Sequence, residues 1–92
     1  MTYKVGLTFD ARRDVKKIEN SGDKKLLKKL YVLLDELENH PTTGTGKPER
    51  LKFHEIPTYS RRISDKHRLV YQIEEEIVTV LVLSTWGHYS DK

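Results

Sequence analysis

Lys47-Pro48-Glu49-Arg50-Leu51-Lys52 opens the stretch that decides the fold; it continues through Ser60-Arg61-Arg62-Ile63 and His67-Arg68-Leu69-Val70-Tyr71 and closes on His88-Tyr89. Apolar and polar residues alternate here with the period of two that sends successive side chains to opposite sides of a strand. Leu69, Tyr71 and Ile73 are expected to turn toward a covering layer, leaving Arg68 on the open face. Working outward, a short strand is predicted over residues 49–53, stiffened at its entry by Pro48. Others are predicted over residues 59–64 and 68–74. After the polar turn Glu74-Glu75-Glu76, the β-branched and leucine run of residues 77–85 suits a central strand buried on both faces.

The first half of the chain supplies the covering layer. Tyr3, Val5, Leu7 and Phe9 alternate with Lys4, Gly6 and Thr8, which reads as a strand. Asp10 is read as the N-cap of a helix carrying Ala11, Val15 and Ile18 at helical spacing, and Asn20-Ser21-Gly22 ends it. Asp23 caps a second helix. In it Leu26, Leu30, Leu33, Leu34 and Leu37, widened by Leu27 and Tyr31, form one apolar stripe. Pro41 stops that helix. The prediction is one α+β domain over residues 1–92, ordered β-α-α-β-β-β-β, with a helical hairpin packed on one face of a mainly antiparallel sheet.

Composition narrows the function classes. The chain has no cysteine, which excludes disulfides and thiolate metal sites. Its four histidines show no metal-ligand spacing, so no zinc site, and no other cofactor, is expected. No apolar run reaches the roughly 20 residues of a membrane span. Met1-Thr2-Tyr3-Lys4 starts directly in the alternating pattern, so no signal peptide and a cytoplasmic location are expected. Thr42-Thr43-Gly44-Thr45-Gly46 is a flexible loop by composition. It is not a nucleotide-binding P-loop, because Pro48 stands where a Ser or Thr is needed.

Charge is unevenly placed. The net charge is +3, but residues 47–68 alone carry seven Lys or Arg against three acids. A phosphate-bearing partner is the physical counterpart of such a concentration. Lys24, Lys25, Lys28 and Lys29 form like-charged i, i+4 pairs in the first turns of the second helix, where the macrodipole also disfavours cations. One reading is a solvated face; the other is an edge lying against structural RNA, whose phosphates offset the repulsion.

Glu49, His54, His67 and His88 are the titratable groups near the basic cluster. RNA is cut without a metal when a base takes the 2′-hydroxyl proton, an acid protonates the leaving 5′-oxygen, and cations stabilise the phosphorane. Glu or His suits the base, His or Tyr the acid, and Arg the stabiliser. The residues alone leave open that Glu49 is a surface ion-pair partner and that the histidines are ordinary turn residues.

Gly44-Thr45-Gly46-Lys47-Pro48-Glu49-Arg50-Leu51-Lys52, then Tyr59-Ser60-Arg61-Arg62-Ile63, His67-Arg68-Leu69-Val70-Tyr71 and His88-Tyr89 together resemble the YoeB/Txe group of bacterial toxins, within the RelE/ParE superfamily. The resemblance implies the small RelE-like fold and the toxin of a type II toxin–antitoxin pair that cuts mRNA on the ribosome. Carried over by position, Glu49 is the general base, His88 the general acid, Arg68 the phosphate stabiliser and Tyr89 a substrate-orienting residue. Lys52 and Arg62 match basic positions near the scissile phosphate. The implied partners are the ribosome with its message, a YefM/Axe-like antitoxin, and a second toxin copy in a homodimer or a toxin–antitoxin heterooligomer. A non-hydrolytic, gyrase-inhibiting ParE-like toxin and an inactive antitoxin-binding member are the alternatives. The chain departs from the group in having Trp86-Gly87 before His88 and Ser90-Asp91-Lys92 after Tyr89.

Overall fold

The computed structural model describes residues 2–83. The elements are β1 (Lys4–Leu7), α1 (Phe9–Asn20), α2 (Lys24–Leu37), β2 (Glu49–Arg50), β3 (Thr58–Arg62), β4 (Arg68–Glu74) and β5 (Ile77–Val82). They form a sheet in the order β1-β5-β4-β3-β2. Only the β1–β5 pair is parallel; the other pairs are antiparallel. The expected α+β architecture is therefore present, with both helices on one face.

The helices form where the side chains allow. Asp23 Oδ1 accepts from Leu26 N at 3.0 Å, the expected cap of α2. On α2, Leu30, Leu33 and Leu37 are fully buried, and Leu26, Leu27 and Leu34 pack at their edges. They meet Ala11 and Ile18 of α1, Leu69, Tyr71, Val78 and Val80 of the sheet and Ile63 just after β3 in one core. Each such aliphatic side chain contributes about 1.5–3 kcal/mol relative to exposure. Tyr31 instead faces outward, and its hydroxyl donates to Glu19 Oε2 at 2.7 Å, linking the two helices.

Several boundaries differ from the sequence reading. Thr8, not Asp10, caps α1: its hydroxyl accepts from Ala11 N at 3.1 Å and donates to Leu81 O at 2.7 Å. Phe9 thus leaves the strand, joins the helix and is 75% exposed. β2 ends at Arg50, with Leu51 N still donating to Thr58 O at 2.8 Å, and Phe53, with a φ of 64°, lies outside the strand. β3 ends at Arg62, because Ile63 N and Ser64 N both donate to His67 O, at 2.9 and 3.1 Å, closing the turn.

β5 also differs from the expectation of burial on both faces. Val78 and Val80 are fully buried against the helices, whereas Ile77 is 52% exposed and Thr79 and Leu81 are half-buried. Both helices cover the same side; on the second side burial is found at Thr58, Ser60 and Val70 of β3 and β4. The predicted strand end at residues 84 and 85 lies outside the described residues. Near its described end β5 bulges. Val70 pairs with Val82 and Tyr71 with Val80, leaving Leu81 as the extra residue. Thr8 holds that carbonyl, and Leu83 N donates to Asp14 Oδ2 at 3.1 Å, so α1 pins the strand where it leaves the sheet.

Candidate active site

Strand register, rather than proximity along the chain, builds the site. Glu49 pairs with Ser60 across β2 and β3, and Ser60 with Val70 across β3 and β4. Directly paired residues share a face. Arg62 pairs with Arg68 one period further along, so these two also share that face. Tyr59, Arg61, Leu69 and Tyr71 point the other way, into the core. The expected orientation of Arg68 is thus observed.

Arg68 Nη1 donates to Ser60 Oγ at 3.0 Å, fixing the guanidinium beside the row on which Glu49 stands. A cleft of about 290 Å³ is lined by Gly46, Lys47, Glu49, Arg62 and Arg68. One carboxylate therefore stands among three cations. Arg62 is ion-paired with Asp65, both largely exposed. Such a pair contributes at most about 1 kcal/mol, so a bound phosphate competes easily for that guanidinium.

The loop before β2 sets the cleft's rim. Gly46 O accepts from Arg62 N at 3.0 Å, laying the loop against β3. A Cβ on Gly46 would stand 2.7 Å from Arg62 O, and its φ is +84°. A side chain there would push the loop off the strand and carry Lys47 and Glu49 with it. Lys47, with a φ of 49°, turns the chain into Pro48 and β2.

Arg61 corrects the charge reading. Counted above among the phosphate-attracting cations, it is fully buried on the helix side of the sheet. Its Nε donates to Tyr71 Oη at 3.0 Å and its Nη1 to Glu36 Oε1 at 2.9 Å and Thr45 O at 3.3 Å. Its Nη2 donates to Thr43 O at 2.7 Å and also to His40 O. Tyr71 Oη in turn donates to Pro41 O at 2.6 Å. A buried guanidinium is tolerated only when its donors are matched in this way, and no buried side-chain polar atom among the described residues lacks a partner. Glu36 also accepts from the Thr45 hydroxyl at 2.6 Å and the Thr45 N–H at 2.8 Å. The Thr45 hydroxyl above all, with the Thr45 N–H and Arg61, holds the Glu36 carboxyl below the usual carboxylate range, against the opposing effect of burial. Burial pushes the Tyr71 hydroxyl up, with Arg61 opposing it.

The other predicted residues fall in four groups. Lys52 is exposed just beyond β2 and does not line the cleft. Lys24, Lys25, Lys28 and Lys29 lie on α2, in the layer behind the sheet, the first three exposed and Lys29 half-buried. They belong to a surface other than the cleft. His88 and Tyr89, with Trp86-Gly87 and Ser90-Asp91-Lys92, lie outside the described residues. His54 is exposed, and His67 sits in the β3–β4 turn with Nδ1 3.0 Å from Ser64 Oγ. Among the described residues no group of three His, Asp or Glu is placed to hold a metal.

Sequence reasoning did not assign Lys47 and Ser60 to the site or Glu36, Arg61 and Tyr71 to its support. The signal for Arg61 was available: adjacent residues of one strand cannot share a face, so of Arg61 and Arg62 one had to point inward.

Two helices over one face and a carboxylate ringed by cations on the other define a small α+β protein with an anion-receptive cleft. Over residues 8–89 the sequence fits the family model described as the YoeB-like toxin of bacterial type II toxin–antitoxin systems. The chain is 43% identical to toxin YoeB of Synechocystis sp. over 68 residues, 74% of this chain and 77% of that one. Its structure matches the YoeB dimer from Staphylococcus aureus with a TM-score of 0.78 and 33% identity, covering 97% of this chain and 100% of that one. It matches the heterotetrameric YoeB–YefM toxin–antitoxin complex from the same organism with a TM-score of 0.76 and 32% identity, over 97% of this chain and 100% of that one. This chain belongs to the YoeB-like toxin family.

Proposed function

We propose that this toxin is an endoribonuclease that cuts mRNA on the ribosome and so halts translation. The observation that carries the reading is the common face of Glu49 and Arg68, joined through Ser60 and bordered by Arg62 and Lys47. Glu49 takes the proton of a 2′-hydroxyl, whose oxygen attacks the adjacent phosphorus. Arg68, with Arg62 and Lys47, stabilises the charge that grows on the phosphorane. His88 protonates the departing 5′-oxygen, and Tyr89 orients the substrate. The products are a 2′,3′-cyclic phosphate and a 5′-hydroxyl. DNA has no 2′-hydroxyl, so the reaction is confined to RNA. Lys52, just beyond β2, adds positive charge near the scissile phosphate, and the α2 lysines hold RNA phosphates away from the reacting atoms.

The toxin acts in the cytoplasm, where the message is translated. A second toxin copy and an antitoxin of the YefM kind are its protein partners. The supporting observations are the structural neighbours from Staphylococcus aureus, a YoeB dimer and a YoeB–YefM heterotetramer. Adding the purified toxin to a translation reaction and mapping message ends tests the activity. Ribosome-dependent cuts with cyclic-phosphate 3′ ends are expected. Intact message together with inhibited gyrase would replace this reading by the non-hydrolytic one.

A further inference from the structure

We propose that Arg61 is a positioning residue: by holding the carbonyls of His40, Thr43 and Thr45 it fixes the Lys47–Glu49 rim opposite Arg68. The inference rests on the reading of Glu49 as the base. Residues 42–46 are threonines and glycines, so this loop has no large apolar side chain with which to anchor itself. Its carbonyls are what it offers, and a guanidinium presents five donors in one plane to receive them. Arg61 uses that capacity fully. Three loop carbonyls, the Glu36 carboxylate and the Tyr71 hydroxyl surround it. Glu36 closes the arrangement from α2 by gripping Thr45 through both its hydroxyl and its N–H. Gly44 shows how tightly: a Cβ there would stand 2.3 Å from Glu36 Oε1.

The clamp also lies back to back with the cleft. Arg61 points inward while its chain neighbours, Ser60 and Arg62, face outward, holding Arg68 and lining the cleft. Arg62 N holds Gly46 O, immediately before Lys47. Displacing the clamp therefore moves Glu49 relative to Arg68 without removing any group from the cleft. A misplacement of about 1 Å costs on the order of 10²-fold in rate.

The test uses Arg61→Lys and the milder Glu36→Gln in the full chain. Three quantities are measured: thermal midpoint, amide exchange of residues 42–49 against β3 and β4, and kcat and KM for message cleavage on ribosomes. The expected result is faster exchange confined to the loop, with kcat lowered about 10²-fold in Arg61→Lys and about 10-fold in Glu36→Gln, and KM unchanged. If Arg61→Lys fails to fold, Glu36→Gln decides alone. Unchanged loop exchange, unchanged kcat in a folded variant, or a rise in KM alone overturns the proposal. If wild type cuts no message, the reaction assigned above fails, and loop exchange still decides whether Arg61 holds the rim.

Discussion

The two faces of the sheet put the same kinds of residue to opposite uses. On the helix side Arg61 is sealed from water, matched donor by acceptor, and serves the backbone. On the open side its neighbour Arg62 makes one exposed ion pair and borders a cleft. Burial makes the first arginine expensive to disturb and useless for recruiting phosphate. Exposure makes the second worth little to stability and available to a ligand. Mutations on the helix face should therefore act on folding or loop position, and those on the open face on chemistry.

The largest break expected on the open face is Glu49→Gln, which should lower message cleavage about 10²–10⁴-fold, the usual loss of a general base. Its thermal midpoint should stay that of wild type, since Glu49 is exposed. On the helix face, Leu33→Ala should destabilise the fold by about 2–5 kcal/mol, measured by denaturant unfolding, because Leu33 is fully buried in the central core. Its activity at full folding should be unchanged.

Arg68→Ala should lower cleavage about 10²-fold with little change in stability. Equal loss on mutating Leu33 and Arg68 in both assays would erase the contrast between the faces. Neutralising Lys24, Lys25, Lys28 and Lys29 should flatten the salt dependence of ribosome association while leaving cleft chemistry intact. An unaltered slope would leave those lysines as a solvated face.

The smallest effect concerns pH. The Glu36 carboxyl lies below its ordinary value of 4.5 in the folded chain. Its contribution to stability is complete above that value and fades as pH falls through the lower, folded one. Wild type should thus lose stability on the acid side, and Glu36→Gln should lose less over the same interval, as followed by thermal midpoints.

Much of this organisation was legible in the sequence. The leucine stripe of α2, the Asp23 cap and the alternation of Arg68 to Ile73 gave the layers and the facing of Arg68. These rest on local periodicity, which a sequence displays directly. What escaped depended on contacts between distant segments. Thr8 displaced Asp10 as the cap because Leu81, far along the chain, also receives its hydroxyl. The exposed side of β5 followed from both helices choosing the same face. Arg61 looked like one more surface cation because its partners, Glu36 and the loop carbonyls, come from an earlier element. For the site, alternation turned Arg68 to the open face, and the resemblance to the YoeB group singled out Glu49 and Arg62. The contribution of Ser60 appeared only once β2, β3 and β4 were in register.

Single-turnover cleavage of ribosome-bound message by wild type and by Arg68→Ala, each with and without Glu49→Gln, tests most directly that Glu49 and Arg68 serve one phosphodiester. The account predicts that the double variant is little slower than the worse single variant, because the two groups act on the same transition state. Fully multiplicative losses, or cleavage that survives without both groups, would contradict it.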